Sequence, residues 1–268
     1  MLFLSPAILF MALVFLVPLL LVLHTSLTDP AYTLAHYTEL VSRPLYIGVM
    51  RNTLEISALS TVLTFLLGYP IAYHLAKQAP RKRALLLILV LLPFWTSILV
   101  KSFAFTVILG QNGLINSALV ALFGEGARFK LLFNRVGVII GMSHFLLPFM
   151  VFTILASLLA LNSDLRRAAE IMGAGRLRIF WSVTFPLTLP GVIAGVLLCM
   201  ILSMGMFVTP ALLGGRGDLM ISNLVDFHVR ETLSWGVASS LAIVLVAVTA
   251  VFTFLLSSVK GGQLVDGA

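Results

Sequence analysis

Long stretches of this 268-residue sequence contain no Asp, Glu, Lys or Arg, among them 2–23, 56–73, 84–100, 136–161 and 235–259. Each stretch is near or above the roughly 18–20 residues that cross a hydrocarbon core about 30 Å thick. Because lipid offers no hydrogen bonds, backbone groups there must be satisfied within the segment, and apolar runs without a period of two indicate helices rather than barrel strands. The sequence therefore predicts an all-α integral membrane protein.

Composition agrees with this interpretation and excludes other classes. The chain is 60% apolar and 10% charged, against roughly 45–50% and 25% in an ordinary soluble domain. The single cysteine, Cys199, excludes an internal disulfide and a cysteine-cluster metal site, and its apolar surroundings predict a packing role. The net charge of +7 reflects membrane topology in so apolar a chain, so we expect no nucleic-acid partner.

We predict one transmembrane domain over 1–268 with about six helices, at 2–25, 53–76, 84–109, 136–159, 187–209 and 237–259. With the N-terminus inside, the inner segments carry nine Lys and Arg against three acidic residues, and the outer segments seven against six. Lys and Arg in short inner loops set orientation, and the basic cluster at 77–83 is the strongest cue. Both termini are therefore predicted to be cytoplasmic. No basic residue precedes the first apolar run, so we expect a retained helix there rather than a cleaved signal peptide.

The segment 162–186 begins with a helix-starting pattern. Asn162 or Ser163 can cap a helix by accepting backbone N–H groups, and Asp164 places a negative charge where the helix dipole favours it. A second short helix is predicted from about Arg176, and Pro186 marks the passage into the next span.

Small residues dominate the middle of this segment. Ala168, Ala169 and Met172 are predicted to share one face, where small side chains let another protein approach closely. Gly173 and Gly175 permit a sharp turn after it. A passive basic connection between two spans is the alternative, but it would need neither the alanine pair nor the turn. We therefore predict a docking loop.

The pattern Ala168-Ala169-x3-Gly173-Ala174-x5-Phe180 resembles the EAA motif of the membrane subunits of binding-protein-dependent ABC importers. In that family the loop is a coupling helix that sits in a cleft of the ATP-binding subunit. The resemblance assigns ATPase coupling to Arg167, Ala168, Ala169, Glu170, Gly173, Ala174 and Phe180. The family's acidic residue falls on Arg167 here. Either Glu170, one turn along, takes over its contact, or Arg167 pairs with an acidic residue of the partner.

Further stretches resemble the spermidine/putrescine-type permeases: 92–97, 113–117, 141–150 and 207–215. The resemblance implies a type I ABC importer permease fold in a bacterial cytoplasmic membrane. It also implies a second permease subunit as a paralogous heterodimer partner, two copies of an ATP-binding subunit and an extracytoplasmic solute-binding protein. ATP and Mg would bind the ATPase, and no cofactor would bind this chain.

Charged side chains within the predicted spans are the first candidates for a substrate path, because an isolated charge in a membrane is costly. Glu55 and Lys101 are the two such residues. Counting about 1.5 Å per residue along continuous helices places both near the outer edge, where they are expected to line the path or to form a mutual salt bridge. Trp95 and Phe207 are candidates for lining the path through their aromatic faces.

The solute is predicted to be a small cation of polyamine type. The small number of acidic residues in the predicted spans, together with one lysine, would equally suit a zwitterionic solute such as an opine or an aminophosphonate. Asp218, Asp226 and Glu231 lie in the last outer loop, where a binding protein would dock.

An enzyme is not expected, because the sequence contains no phosphate loop, no His-Glu-x2-His and no Gly-x-Ser-x-Gly. His144 is predicted to make an interhelical hydrogen bond. Two alternatives to an ATP-driven importer subunit are an ATP-independent channel or secondary carrier and a non-transporting scaffold. The channel or carrier would need several charges along its path.

Overall fold

The computed structural model describes residues 5–29 and 31–265, with side chains over 9–29 and 31–254. Every regular element in these residues is helical. The α-helices are α1 (Ser5–Thr28), α2 (Ala35–Ser42), α3 (Pro44–Ala76), α4 (Pro80–Leu91), α5 (Ile98–Ile108), α6 (Leu114–Phe123), α7 (Arg135–Leu159), α8 (Ser163–Ile171), α9 (Arg176–Ile179), α10 (Phe185–Met204), α11 (Val208–Leu213), α12 (Ile221–Arg230) and α13 (Trp235–Val265). Short 3₁₀ turns lie at Leu92–Trp95 and Glu125–Ala127, and a π-helical turn at Phe180–Thr184.

Five helical stretches in the described residues are long and apolar enough to cross a membrane, and α4 with α5 forms a sixth span if the bent pair is counted as one. The all-α class and the approximate number of spans are thus confirmed. Positions 2–4 of the first predicted span, and the side chains beyond 254 in the last, lie outside the described residues. The prediction of a retained N-terminal helix stays a prediction.

The third span differs from the continuous helix predicted over 84–109. It is bent by 93° between Pro80–Trp95 and Ile98–Ile108. Pro93 lacks an N–H group and its ring clashes with the preceding turn, so the helix tightens into a 3₁₀ turn there and then opens. Thr96 is extended, and its hydroxyl donates to the Pro93 carbonyl at 2.8 Å. The prediction of one continuous helix over 84–109 is wrong, because Pro93 breaks the helix although the residues around it are apolar.

Two other spans differ at their ends. Helix α3 begins at Pro44, nine residues before its predicted start, because Pro at the first helical position needs no N–H partner. Helix α10 ends at Met204, and α11 follows as a separate short helix from Val208. The predicted span 187–209 therefore ran through a break at Gly205.

The centre of the fold is the packing of α7 against α3 and α10. A Cβ added at Gly191 would collide with Ser157, and one added at Gly195 with Thr153. Small residues of this kind let membrane helices approach closely without a hydrophobic driving force between them. Cys199 is fully buried in this contact, as its predicted packing role requires.

Polar groups inside the bundle mostly bond within the protein. Thr64 donates to the Ser60 carbonyl on its own helix, and Ser143 of α7 donates across to the same carbonyl at 3.1 Å. Near the other end of α3, the Tyr69 hydroxyl lies 3.0 Å from that of Thr188 on α10. These hydrogen bonds hold α3, α7 and α10 together next to the segment that follows α7.

Candidate functional site

The segment after α7 forms a helical hairpin of α8 and α9, which we call the coupling hairpin (162–184). The Asn162 side chain accepts the backbone N–H of Asp164 at 2.9 Å, and Asp164 lies in the first turn of α8. This cap satisfies one of the orphan N–H groups at the helix start, and the acid complements the helix dipole. The sequence pattern thus folds locally as its residue types predict.

The turn of the hairpin depends on Gly173, whose φ is +80°. Its N–H donates to the Glu170 carbonyl and the Ala174 N–H donates to the Ala169 carbonyl, both at 3.0 Å. This pair of bonds is the Schellman arrangement that ends a helix, and it needs a residue that tolerates the left-handed region. Gly175, by contrast, has an ordinary φ of −69° and open space where a Cβ would lie.

The two alanines point in different directions. Ala169 is 5% exposed, on the side where α8 meets α9 and the π-helical turn, while Ala168 is exposed. Met172, expected on the same face as both, is 80% exposed. Successive helical residues are about 100° apart, so the expectation of one shared partner-facing face is wrong for Ala169. Its small side chain lets the hairpin close on itself.

The tip of the hairpin carries large apolar side chains in contact with little else. Ile171 is 86% exposed, Met172 80% and Leu177 74%. They are surrounded by the exposed charges of Arg166, Arg167 and Glu170 on α8 and of Arg176 and Arg178 on α9. Exposed apolar residues rimmed by charges mark sites that interact with another protein or with a membrane.

The charges of α8 form only surface ion pairs. Arg167 lies 3.7 Å from Asp164, and Arg166 lies 3.3 Å from Glu170. All four side chains are more than half exposed, and such pairs stabilise by about 0–1 kcal/mol. Arg167 and Glu170 therefore remain free to change partners.

Phe180 joins the hairpin to the membrane helices. Its ring centroid lies 5.7 Å from that of Tyr69 and 5.5 Å from that of Tyr73, both on α3, in edge-to-face arrangements. Phe185 at the start of α10 completes the cluster at 6.2 Å. A displacement of the hairpin would therefore act directly on α3 and α10, because the Phe180 ring packs against both. The sequence singled out Phe180, but its partners on α3 carried no signal in the pattern.

At the opposite end of α3, Arg135 gathers three polar side chains. Its guanidinium donates to Glu55 at 2.6 Å, to Asn52 at 2.6 Å and to Asp218 at 3.2 Å. Arg51 bonds the second oxygen of Glu55 at 2.5 Å. We call these five residues the outer ion cluster, after the side of the membrane on which the sequence predicts them. It ties α3, α7 and the loop before α12 together, and sequence reasoning missed it because Arg135 was counted only as a loop charge.

Lys101 does not meet Glu55. Its Nζ donates to the Pro93 carbonyl at 2.8 Å, across the bend of the third span, and lies 5.2 Å from the Phe145 ring centroid. The expected salt bridge is wrong because it assumed a straight helix, whereas the 93° bend carries Lys101 away. Lys101 instead adds a charged donor to the Pro93 carbonyl, which also accepts the backbone N–H of Thr96 at 3.4 Å.

The aromatic candidates occupy different surroundings. Trp95 lies at the bend and is 69% exposed, and Phe207 is half-buried between α10 and α11. The Phe207 carbonyl accepts the side-chain amide of Asn223 at 3.0 Å. His144 packs edge-to-face against Phe105 at 5.2 Å, and its Nδ1 has no hydrogen-bond partner among the described residues. The interhelical hydrogen bond predicted for His144 is therefore not formed through Nδ1.

The three outer acids differ in availability. Asp218 is 13% exposed and held by Arg135 and the Gly215 N–H. Asp226 pairs with Arg230 at 2.7 Å, and Glu231 is exposed. Beside them, burial lowers the pKa of His228, against the opposing effect of Glu39.

We predict that Arg135→Gln destabilises the outer end of the protein, because Glu55 and Asp218 lose a shared charged donor. The apparent melting temperature in detergent is expected to fall by roughly 2–4 °C. Arg51→Gln is the matched control, since Arg51 is 78% exposed and pairs only within its own helix, and it should change the melting temperature much less. Equal effects of the two variants would contradict the clamping role of Arg135.

Comparison with known proteins agrees with this architecture. Residues 56–260 match the family described as "binding-protein-dependent transport system inner membrane component". The spermidine/putrescine transport system permease protein PotB of Haemophilus influenzae is 37% identical over 83% of this chain and 78% of its own. PotB of Escherichia coli is 36% identical over 82% of this chain and 81% of its own.

A solved structure shows the same fold. A chain of a bacterial alginate ABC transporter, crystallised with an alginate pentasaccharide-bound periplasmic protein, matches with a TM-score of 0.76 at 20% identity over 95% of this chain and 91% of that one. The resemblance in sequence, the fold and the matched family model lead to one assignment. The chain belongs to the family of binding-protein-dependent transport system inner membrane components.

Proposed function

We propose that this chain is one of two permease subunits of an ATP-driven importer for a small polyamine-like solute, and that a separate ATP-binding subunit drives it through the coupling hairpin. ATP and Mg would bind that subunit, and this chain would bind neither. An extracytoplasmic binding protein would deliver the solute, and the second permease would be a paralogue of similar fold.

One observation supports the ATPase partner: the exposed apolar tip of Ile171, Met172 and Leu177 on the hairpin between α7 and α10. Water disfavours such a surface, so a partner protein that covers it gains burial of roughly 25 cal/mol per Å² of apolar area. The flanking Arg167 and Glu170 are held only by weak surface pairs. Either can therefore contact an oppositely charged residue in the partner's cleft.

The hairpin is suited to transmit movement as well as to bind. Gly173 fixes the turn, Ala169 closes α8 on the π-helical turn, and Phe180 packs on α3. The π-helical turn Phe180–Thr184 is the last part of the hairpin and leads directly into α10, and turns of this kind are frequent at functional sites. ATP-driven movement of the partner would thus reach α3 and α10 through packed aromatic rings.

The proposed assignment also implies an orientation in the membrane. A hairpin that meets an ATPase lies in the cytoplasm, as do the basic residues at 77–83 next to it. With six crossings, both termini lie on that side, in agreement with the excess of Lys and Arg there. The outer ion cluster then faces the extracytoplasmic side, where Asp226 and Glu231 are available to a binding protein and Asp218 holds the loop that presents them.

The relatives named for spermidine and putrescine support a polyamine-like solute. Trp95 and Phe207 offer aromatic faces to a cation. Lys101 favours a second candidate, a zwitterion with a carboxylate or phosphonate such as an opine or an aminophosphonate. Glu55 is bound by two arginines, so its charge is compensated and it attracts a cation only weakly. We therefore keep both classes, with polyamines first.

The solute class is tested on the binding protein that co-purifies with the complex. A polyamine should raise its melting temperature by several degrees at millimolar concentration, because a ligand that binds only the folded state stabilises it. Acetylated polyamines, which lack the terminal charges, are the matched control and should raise it much less. A shift produced by opines or aminophosphonates alone would establish the second candidate.

The coupling role is tested at Gly173. A Gly173→Val variant must adopt a left-handed φ, at a cost of about 1–2 kcal/mol or more for a side chain branched at Cβ. We expect membrane insertion to persist and solute-stimulated ATP hydrolysis in the reconstituted complex to be lost. Gly175→Val is the matched control, because its φ is ordinary and its surroundings are open, and it should retain stimulation.

Equal ATPase stimulation in the two glycine variants would contradict the coupling role of this turn. Solute uptake by the chain alone in liposomes, without an ATP-binding subunit, would refute the importer assignment and favour a channel or secondary carrier.

A further inference from the structure

A cavity of about 280 Å³ lies where the ends of α3 and α7 meet the coupling hairpin and the start of α10. It adjoins the hairpin but lies apart from the exposed apolar tip and from the bend at Lys101. Neither docking of an ATPase nor passage of a solute accounts for it. Its lining has two chemically distinct halves.

One half is cationic and polar. Lys77 and Arg166 line it, together with the side chains of Asn162 and Ser163. The Lys77 ammonium lies 3.7 Å from the Tyr73 ring centroid and has no carboxylate partner among the described residues. Arg166 has only its exposed pair with Glu170, which does not line the cavity. In the described part of the chain the lining thus carries two positive charges and no acid.

The other half is apolar and continues the spans. Leu158 and Leu161 extend the end of α7, Leu187 lies in the first turns of α10 and is partly exposed, and Val183 lies in the π-helical turn. The cavity therefore sits at the level where helices leave the hydrocarbon region. An amphipathic occupant would satisfy both halves at once.

We propose that this cavity binds the phosphodiester headgroup of an anionic phospholipid. Lys77 and Arg166 would contact the phosphate oxygens, since cations paired with phosphate form strong charge-assisted bonds, and the leucine wall would contact the glycerol and the first acyl carbons. Basic pockets between membrane helices at the cytoplasmic surface suit anionic headgroups. Arg81, Lys82 and Arg83 lie nearby at the start of α4 but do not line the cavity.

The lipid would link the membrane to the coupling hairpin, because Lys77 follows α3 while Arg166 belongs to α8. The position of the hairpin, and with it the response to the ATPase, would then depend on the charge of the surrounding bilayer. The proposal goes beyond import of a solute. It requires only that this end of the spans lies at a membrane surface.

The test uses the complete complex, extracted from bilayers of equal parts phosphatidylglycerol and phosphatidylcholine, with retained lipid measured by native mass spectrometry. The wild type should retain phosphatidylglycerol in preference to phosphatidylcholine. Lys77→Gln and Arg166→Gln should each lower that retention about fivefold, since one cation near a membrane surface contributes about a factor of five in affinity. Lys82→Gln with Arg83→Gln is the matched control, and it should keep most of the bound lipid.

Four results would overturn the proposal. The first is equal retention of both lipids by the wild type, or unchanged phosphatidylglycerol retention in the Lys77→Gln and Arg166→Gln variants, and the second is an equal loss in the control. The third is displacement of the bound lipid signal by millimolar inorganic phosphate, which would identify a free-anion site instead. Loss of the ATP-binding subunit with unchanged lipid retention would likewise show a protein contact at this cavity. Lipid retention is read separately from ATP hydrolysis, so failure of the importer assignment would leave it measurable.

Discussion

The absence of water from the membrane core is the constraint on which this structure depends. Backbone groups in the spans must bond within their own helices, so the chain is helical and departs from helix only where another group compensates. The bend at Pro93 is an example, because the Pro93 carbonyl accepts the backbone N–H and the hydroxyl of Thr96 and the ammonium of Lys101. Lys101 thus has a structural role within a span, and it also places a positive charge beside the bend.

The same constraint explains why the functional features lie at the two ends of α3. Outside the hydrocarbon region, charged side chains cost little free energy and can change ion-pair partners. At one end Arg135 joins α3, α7 and the outer loop, and at the other end Phe180 joins α3 to the coupling hairpin. Helix α3 therefore connects the surface proposed for the binding protein with the surface proposed for the ATPase. Close packing at Gly191 and Gly195 keeps α10 and α7 together along the way.

Much of this was predictable from sequence, and the exceptions have physical causes. Uninterrupted apolar length predicts the spans, and the order of cap, alanine pair and glycine predicts the hairpin, because these signals are local. The bend at Pro93 was not predicted, because a single proline hardly changes the apolar character of the stretch around it. The cluster around Arg135 was missed because it joins residues more than 80 positions apart, and the burial of Ala169 depends on what the helix packs against.

The central claim is that the tip of the coupling hairpin contacts an ATP-binding subunit. Because Cys199 is the only native cysteine and is buried, a photoreactive maleimide on Met172→Cys can report that contact in the assembled complex. The account predicts cross-links from position 172 to the ATP-binding subunit, and none from Leu122→Cys, an equally exposed apolar position on α6. Cross-linking from position 122 but not from position 172 would contradict it.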